Sequence, residues 1–404
     1  MNTALHISII GAGLGGLCLA QGLKKNGTSF SVYEKDQAAD SRNQGYRIRI
    51  DQTGQHALRT CLPMDLYMLF QQTCARPAGQ VKVINAQLET INGKWVDDWQ
   101  DDKSADQADQ PDLRADRLAM REVLLTGIRE HVHFGKELSR YEERGDGKVS
   151  VHFSDGSSVL SDILIAADGI HSKVRELRFP EARPEDTGNV CFYGKTMLTE
   201  NLKNTLAPQL LAGTSVIFEK ELAAVIDVME FKQIPVYSDP PIFRDSGLTP
   251  VSDYIYWALI GQRARFGLHE TGNLPDTSTE IHACIVSTSA AWPLELTSLF
   301  ALTPSDMLTL VPVKTTQSIP PWESSRVTAL GDAIHAMSPA SGLGANAALY
   351  DAAVLAQALH AISHDGKPVF EAISDYECKL REHSFKAVIS SQRGSQQLFG
   401  DQDK

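Results

Sequence analysis

The first residues with a pattern that could do chemistry are three glycines near the N-terminus, in the segment 5–16, LHISIIGAGLGG. Gly11, Gly13 and Gly16 have the GxGxxG spacing of loops that bind the pyrophosphate of a dinucleotide. Gly11 would allow a tight turn, Gly13 would let the backbone approach the phosphates, and Gly16 would let helix and strand pack closely. Glu34 follows about 20 residues later, where a carboxylate can accept hydrogen bonds from ribose hydroxyls.

The elements that must position this loop are visible on both sides of it. A β-branched run with Ile7, Ile9 and Ile10 predicts a strand before the glycines, and leucines at helical spacing predict a helix after them. A second predicted strand ends at Glu34. The order strand, loop, helix, strand is that of the first βαβ unit of a dinucleotide-binding fold, with free N–H groups of the helix facing the phosphates. The pattern by itself does not distinguish FAD from NAD.

Two later motifs place an acid beside a glycine after a predicted strand. The segment 161–176 begins with an apolar strand that runs into Asp168 and Gly169. The segment 327–362 predicts a strand, a loop that contains Asp332, and a long apolar helix. Both predicted strands would bring the chain back to the sheet that begins with the first βαβ unit.

Between these motifs the pattern of the chain changes. Segments 113–128, 132–138 and 148–153 predict an amphipathic helix and two strands that return to the same sheet. From about 185 to 314, aromatic strand-like runs alternate with turns rich in Pro, Gly and Asp, which predicts an antiparallel sheet and a second domain. The segment 368–399 predicts a helical tail that packs across the outside.

Composition limits the class of protein. The 404 residues carry a formal net charge of −12, with 42% hydrophobic and 22% charged residues, which is typical of a globular protein and argues against a nucleic acid as partner. No run predicts a membrane span and no signal peptide is apparent, so we expect a cytoplasmic protein. Six cysteines without a CxxC pair fit reduced thiols. The acidic stretch 97–116 predicts a solvated loop, and neither it nor the pair His131 and His133 predicts a metal site.

Three motifs now stand in a fixed order: the glycine loop with Glu34, ADGIHSKVR at 167–175, and GDAIHAMSPASGLGAN at 331–346. In this order and spacing the chain resembles the group A flavoprotein monooxygenases, the family of p-hydroxybenzoate hydroxylase, over nearly its whole length. The resemblance implies an α/β fold with a three-layer, Rossmann-like FAD-binding domain, an interleaved and mainly antiparallel substrate domain, and a C-terminal helix. Residues 1–74, 113–184 and 315–362 would form the FAD-binding domain, residues 75–112 and 185–314 the substrate domain, and residues 363–404 the tail.

The resemblance also implies which residues hold FAD. Glu34 would bind the adenosine ribose, Asp332 would hold the ribityl chain, and Arg121 would match the family arginine that opens an R-x-x-L helix. Asp168 and Gly169 would brace the FAD site and take part in NAD(P)H binding. The complete expected set is Gly11, Ala12, Gly13, Gly16, Glu34, Lys35, Arg47, Arg121, Asp168, Gly169, Asp332, Pro339, Gly342, Gly344, Ala345 and Asn346.

The loop and helix start at 339–346 would lie beside the isoalloxazine ring. Reduced flavin is anionic near N1 and O2, and a helix N-terminus with free N–H groups favours that charge. Arg47 and Arg49 alternate in the segment GYRIRID, which places both side chains on one face of a predicted strand. Either arginine could contact FAD or the nicotinamide nucleotide, and both could instead face solvent.

The family reaction gives the expected function. NADPH or NADH reduces FAD, and the reduced flavin adds O₂ to form a C4a-hydroperoxide that transfers one oxygen atom to an aromatic or polycyclic small molecule. Baeyer–Villiger oxidation, epoxidation and simple FAD-dependent reduction remain alternatives. The chain lacks the WxWxIP segment of flavin halogenases and the usual FxGxxxHxxxW motif of Baeyer–Villiger enzymes. We expect a monomer or a homodimer.

The sequence defines the reaction site less well than the cofactor site. Candidates for a base that deprotonates the substrate are His269, Tyr193 and Asp227, none of which lies in a motif, and no catalytic residue is assigned. Arg263 and Arg265 could meet an acidic substrate or face solvent. Candidates for the substrate pocket, chosen by strand periodicity, are Phe192, Tyr193, Phe218, Met229, Trp257 and Phe266.

Overall fold

The computed structural model describes residues 5–41, 46–78, 81–91, 111–232, 247–317, 319 and 321–399. The strands of these segments are β1 (His6–Ile10), β2 (Ser29–Glu34), β3 (Arg47–Ile50), β4 (Lys82–Asn85), β5 (Leu113–Asp116), β6 (Val132–Phe134), β7 (Leu138–Glu143), β8 (Val149–Phe153), β9 (Ser158–Ser161), β10 (Ile163–Ala166), β11 (Glu185–Met197), β12 (Thr214–Glu219), β13 (Leu222–Met229), β14 (Tyr254–Gln262), β15 (Leu308–Thr315) and β16 (Val327–Ala329). The helices are α1 (Leu14–Lys25), α2 (Gln52–Cys61), α3 (Met64–Thr73), α4 (Arg117–Leu125), α5 (Lys173–Arg178), α6 (Glu200–Thr205), α7 (Ser278–Thr288), α8 (Leu294–Ala301), α9 (Asp332–His335), α10 (Gly344–His364) and α11 (Val369–Phe399).

A five-stranded parallel sheet forms the centre of the FAD-binding half, in the order β16-β10-β1-β2-β6. Its central strands are short apolar runs that are buried on both faces, as is typical of parallel sheets covered by helices. α1 packs against both β2 and α10. The strands β1, β10 and β16 are parallel neighbours, so their carboxyl ends lie at the same edge of the sheet. Gly11, Asp168 and Asp332 lie just beyond these ends. The predicted Rossmann-like unit is therefore confirmed.

The second large sheet has the order β15-β11-β14-β13-β12-β4. Every pairing in it is antiparallel except that of β12 with β4. The predicted antiparallel sheet between 185 and 314 is therefore confirmed, and β4 joins it from a distant part of the chain. The exact division into domains stays a prediction.

Three details differ from the sequence prediction. The segment 113–128 is not one helix, because its first four residues form β5 and pair with β3, a contact that helical periodicity does not reveal. β8 belongs to a separate sheet with β7 and β9, and only β6 joins the parallel sheet. Asp116 ends the acidic stretch 97–116 but is buried and accepts hydrogen bonds from the N–H groups of Leu118 and Ala119 at the start of α4. Residues 97–110 of that stretch lie outside the described residues.

The C-terminal helix α11 packs against α10 and is tied by polar contacts to β16, an edge strand of the parallel sheet. The hydroxyl of Tyr376 donates to the carbonyl oxygen of Ala329 in β16 at 2.7 Å. The buried carboxylate of Glu377 accepts hydrogen bonds from Ser324 and Thr328. None of the helices in the described segments is long and apolar enough to cross a lipid bilayer.

The six cysteines are free thiols, and Cys18, Cys61, Cys74 and Cys191 are buried. Burial raises the pKa of Cys191 to about 12, so this thiol is protonated at neutral pH. Across the segments that the structure describes, no cluster of three or more His, Cys, Asp or Glu residues could hold a metal ion.

The glycines of the first loop have two distinct roles. Gly11 has a φ of +105°, and a methyl group there would overlap the backbone at Ala167. Gly16 is equally constrained, because a methyl group would overlap the carbonyl oxygen of Gly11. A methyl group on Gly13 would meet no atom within 4 Å and would extend into open space at the start of α1.

This contrast predicts that two alanine substitutions act differently. Gly11→Ala should lower the free energy of unfolding by more than about 3 kcal/mol, because strain and overlap add. Gly13→Ala should change it by less than about 1 kcal/mol, yet weaken FAD binding at least about tenfold, because the methyl group fills the place where the backbone meets the pyrophosphate. Denaturant unfolding of the apoproteins and FAD titration measure the two effects. Normal FAD affinity in Gly13→Ala would contradict the prediction.

Candidate cofactor and active site

A cavity of about 910 Å³ connects the glycine loop with the region near the antiparallel sheet. Gly11, Gly13 and Glu34 line it together with Asp168 and Asp332. Further lining residues lie just before β3, in α4, in β11 and in the turn before β15, and they include Tyr46, Arg117, Lys195 and Met307. The cavity thus brings together the three motifs that lie far apart in sequence.

Glu34 and Arg121 hold the glycine loop in shape. The Oε2 atom of Glu34 accepts a hydrogen bond from the N–H of Ala12 at 2.8 Å, and Oε1 accepts one from the N–H of Asp36 at 3.0 Å. The Nε of Arg121 donates to the carbonyl oxygen of Ala12 at 2.9 Å, and its guanidinium lies 3.4 Å from Glu34. Both side chains line the cavity, as does Lys35, so their predicted contacts with FAD remain compatible with this structure.

The arginine that opens α4 is Arg117, not Arg121. Because β5 ends at Asp116, α4 starts four residues before Arg121. The guanidinium of Arg117 lines the cavity and makes no hydrogen bond to any described residue. Burial lowers its pKa, while the neighbouring Tyr193 and Asp332 oppose that shift. The sequence signal for this position is an arginine directly after the capping acid Asp116. It was missed because the single helix predicted over 113–128 places Arg117 in the middle of a helix instead of at its start.

Asp332 is the first residue of α9, directly after Gly331, which has a φ of +61°. Asp332 is exposed along the cavity that it lines. Desolvation by the surrounding protein raises the pKa of Asp332, and the charges of His335 and Arg117 oppose the rise. A carboxylate that faces the cavity without a hydrogen bond to a described residue suits the predicted contact with ribityl hydroxyls.

Asp168 and Gly169 follow β10 at the same edge. The Oδ2 atom of Asp168 accepts a hydrogen bond from the N–H of Lys173 at 2.9 Å, which orders the start of α5. Burial raises the pKa of Asp168, while the hydroxyl of Ser172 and nearby N–H groups oppose the rise. Gly169 has a φ of +75°, a conformation that favours glycine. The Asp-Gly pair therefore braces the edge of the cavity next to Gly11.

Behind Asp332 lies a buried pair, His335 and Asp351. Both side chains are fully buried, and the Nε2 atom of His335 lies 2.5 Å from Oδ2 of Asp351. The same carboxylate oxygen accepts the N–H of Gly331 at 2.9 Å. Burial alone would lower the pKa of His335, but the Asp351 charge and hydrogen bond raise it above its usual value. The pair fixes the turn that carries Asp332.

The loop from Pro339 to the start of α10 has the features expected of a flavin loop. A short turn over Pro339–Ser341 ends at Gly342, which has a φ of +65°. α10 then begins at Gly344 without a side-chain cap, and the N–H groups of Gly344, Ala345 and Asn346 make no hydrogen bond to a described residue. Free N–H groups at a helix start favour negative charge. Together with the open space at Gly13, this donor set fits FAD.

The side chain of Asn346 is engaged by the protein itself. Its Oδ1 atom accepts the N–H of Asp51 at 3.1 Å, and its Nδ2 atom donates to the carbonyl oxygens of Arg49 and Gly342. Asn346 therefore ties the end of β3 to the flavin loop. The part of Asn346 that remains for a cofactor is its backbone N–H.

The arginines of β3 and the candidate base Asp227 form ion pairs instead of free functional groups. The Nε of Arg47 lies 2.8 Å from Oδ2 of Asp227, and Arg114 lies 2.6 Å from its Oδ1. Arg49 pairs with Asp112 at 2.6 Å. Because Asp227 is fully buried between two guanidiniums, the structure contradicts its use as a catalytic base. The predicted contact of Arg47 with FAD gains no support from this pairing.

His269 and Arg263 lie away from the cavity. His269 is exposed and follows the turn Arg263–Phe266, whose Phe266 packs into the core on the far side of the antiparallel sheet. Arg263 is buried and lies 2.5 Å from Asp186. The prediction of His269 as a base is therefore wrong, and Arg263 has a structural role.

Strand alternation separates the six pocket candidates. Phe192 and Trp257 point with Phe266 into the core formed by α6, α7 and α8, so these three predictions are wrong. Tyr193 and Phe218 lie on the opposite face, in a cluster that includes Ala340 of the flavin loop. Met229 packs with Tyr254 of β14 and with Tyr46, which precedes β3. Alternation along the strands predicted a period of two, but it did not predict which parity faces the flavin loop.

Tyr193 is the candidate base that remains near the site. Burial and the neighbouring Cys191 raise its pKa to about 12, although Arg117 opposes the rise. Its ring lies edge-on to that of Tyr46, with ring centroids 6.1 Å apart. Tyr193 is therefore protonated at neutral pH, and it can donate a hydrogen bond but is a poor base.

Removal of the Asp332 carboxylate tests the cofactor assignment. Asp332→Ala should purify largely without the yellow colour of FAD, because charge-assisted hydrogen bonds are worth about 1.5–3 kcal/mol each. Asp332→Asn should retain part of the affinity. Asp375→Ala, at an exposed ion pair in α11, is a matched control. Flavin absorbance per protein measures the result, and a fully loaded Asp332→Ala would contradict the assignment.

The buried His335–Asp351 pair predicts a pH dependence of stability. The pKa of His335 in the folded state is raised above 6.5. The stabilisation that His335 adds to the folded state is therefore fully present below pH 6.5 and is lost as pH rises through the raised pKa. The free energy of unfolding should therefore fall as pH rises from 6.5 through that raised pKa, and Asp351→Asn should remove this fall and cost about 3–5 kcal/mol below pH 6.5. His56→Gln, at an exposed position, is the control. Equal pH profiles for Asp351→Asn and the unchanged protein would refute the coupling.

Comparison with protein families agrees with this geometry. Residues 9–60 match the NAD(P)-binding Rossmann-like domain, and residues 264–388 match the FAD binding domain. The first match contains the glycine loop and Glu34, and the second contains Asp332 and the flavin loop. These matches identify FAD as the cofactor.

Among curated relatives, the dual O-methyltransferase/FAD-dependent monooxygenase CTB3 of Cercospora beticola is 34% identical over 98% of this chain and 46% of the relative. The chain thus spans about half the length of the curated relatives it matches first. FAD-dependent monooxygenase thnD of Trichoderma harzianum is 27% identical, with 95% of this chain and 91% of the relative covered.

Solved structures show the same architecture. A protein from Photorhabdus luminescens, described as an FAD-containing monooxygenase, superposes with a TM-score of 0.80 at 29% identity, over 98% of this chain and 99% of that chain. HpxO of Klebsiella pneumoniae, solved with FAD and uric acid, has a TM-score of 0.75 over 98% of this chain and 90% of that chain, and at 20% identity it supports the fold alone. Fold, motifs and relatives agree, and the chain belongs to the FAD-dependent monooxygenases of the flavoprotein hydroxylase family.

Proposed function

We propose that this protein uses NADPH or NADH and O₂ to hydroxylate an aromatic or polycyclic small molecule. The observation that carries the proposal is the single cavity that joins the FAD motifs to residues next to the antiparallel sheet. Because the chain spans about half the length of relatives such as CTB3, the activity of the complete protein is part of the proposal.

FAD bound in this cavity supplies the oxidation–reduction chemistry, since it accepts electrons from the nicotinamide nucleotide and activates O₂. The chain would hold it through the backbone at Gly13, the carboxylate of Asp332 and the side chain of Arg117. The uncapped start of α10 would favour negative charge on the reduced ring.

The sheet face that packs against the flavin loop would exclude water from the reaction. Its buried residues are small or apolar and include Cys191, Ala223, Ala258 and Val313, with Ala340 of the flavin loop packed on them. The part of this sheet that lines the cavity itself is the end of β11, through Lys195 and Met197. Exclusion of water strengthens electrostatic interactions and limits side reactions of activated oxygen.

The residues near the site also constrain how the substrate is activated. Asp227 is held by two arginines, and Tyr193 is protonated at neutral pH. Neither can readily accept a proton from a phenol. We therefore expect substrates that are acidic themselves.

The test is consumption of NADPH and O₂ by the purified, FAD-loaded protein with a panel of phenols and polycyclic phenols. The expected result is substrate-stimulated consumption and a product that contains one oxygen atom from isotopically labelled O₂. The variant Phe385→Ala, at an exposed position in α11, is a control that should behave like the unchanged protein. Oxidation of NADPH without oxygen incorporation into any panel member would instead favour a reductase.

A further inference from the structure

Lys195 occupies an unusual position in the wall of the cavity. It lies near the end of β11, and its side chain is 19% exposed. Among the described residues, its ammonium has no hydrogen-bond partner; the Asp116 carboxylate lies at 3.8 Å. The exposed part of the side chain lines the cavity that also contains Asp332.

The carboxylate of Asp116 is already committed to other groups. Its Oδ1 atom caps α4 through the N–H groups of Leu118 and Ala119, each at 3.0 Å. Its Oδ2 atom accepts the hydroxyl hydrogen bond of Tyr254 at 3.0 Å. Asp116 therefore offsets the charge of Lys195 only partly and leaves the three donors of its ammonium available.

The surroundings of Lys195 are aromatic and apolar. Its Nζ atom lies 4.3 Å from the ring centroid of Tyr254 and 5.9 Å from that of Tyr46. Tyr46, Met197 and Met307 also line the cavity. Aromatic rings and flexible methionines make good contacts with flat aromatic ligands.

These surroundings favour a negatively charged ligand over a neutral one. A neutral aromatic ligand that covered Lys195 would remove water from the ammonium without replacing its hydrogen bonds, which costs free energy. A ligand oxygen with negative charge would replace that water with a charge-assisted hydrogen bond. The negative charges of Asp116 and of Asp306, which lies near Tyr46, reduce the gain in binding free energy.

We propose that Lys195 is a specificity-determining residue that pairs with an anionic oxygen, a carboxylate, phenolate or enolate, of a flat aromatic substrate packed against Tyr46. The proposal rests on the proposed hydroxylase function, because it assigns the ligand at Lys195 as the substrate. Such a residue favours substrates that bind already ionised, and these need no protein base for their activation.

The test compares naphthoate with naphthamide, two probes of nearly equal shape that differ in charge. Binding to the FAD-loaded protein is measured by calorimetry, which does not require turnover. The unchanged protein should bind naphthoate at least about tenfold more tightly than naphthamide, as one charge-assisted hydrogen bond predicts. Lys195→Met should abolish this preference, whereas Lys195→Arg should retain most of it.

Two controls separate the possible failures. Lys203→Met removes an exposed lysine paired with Glu200 and should leave both affinities unchanged. FAD content and thermal unfolding of Lys195→Met show whether the variant is folded, and Lys195→Arg keeps the test informative if it is not.

Several outcomes would overturn the proposal. They are the absence of a preference for naphthoate in the unchanged protein, an unchanged preference in Lys195→Met, and a selective loss of NADPH affinity in that variant. The last result would assign the ammonium to a phosphate of the nucleotide. Failure of the hydroxylase function is seen separately, as lack of oxygen incorporation by a protein that still discriminates between the probes.

Discussion

The site depends on the contact between two backbone loops at the edge of the parallel sheet. Gly11 leaves β1 with a φ that favours glycine, and the backbone at Ala167 occupies the space where its side chain would be. This contact joins the glycine loop to the Asp168 motif. Asp332 reaches the same edge because β16 pairs beside β10. Three motifs far apart in sequence therefore share one cavity through strand order and one tight backbone approach.

Many polar groups that appear functional in the sequence stabilise this arrangement instead. Asp227 is neutralised by Arg47 and Arg114, which ties the β3–β5 ribbon to the antiparallel sheet. Asn346 ties β3 to the flavin loop in the same way. Such buried groups must be paired, because an unpaired charge or amide in the interior costs several kcal/mol. The groups that remain for ligands are therefore few, and Arg117, Asp332 and Lys195 are prominent among them.

The two sheets present different chemical groups. The parallel sheet presents loops, glycines and helix N-termini, which are suited to phosphates and to the charge of a reduced ring. The antiparallel sheet presents an apolar face with small side chains opposite the flavin loop. In the proposed function, a cofactor held by one sheet would meet a substrate held by the other in the cavity that residues of both line. The charge of Lys195 lies in the wall of that space, where it can influence which substrates enter.

The sequence by itself determined the cofactor-binding unit, because each step of that signal is local. A β-branched run, three glycines at fixed spacing and an acid at the end of the next strand require no distant contact to be recognised. The period of two in the middle segment likewise identified the antiparallel sheet. Tertiary structure alone decided which parity of each strand faces the flavin loop, so Phe192 and Trp257 proved to be core residues while Tyr193 did not. It also decided that Leu113–Asp116 is a strand, because pairing with β3 overrides helical periodicity, and this placed Arg117 at the start of α4.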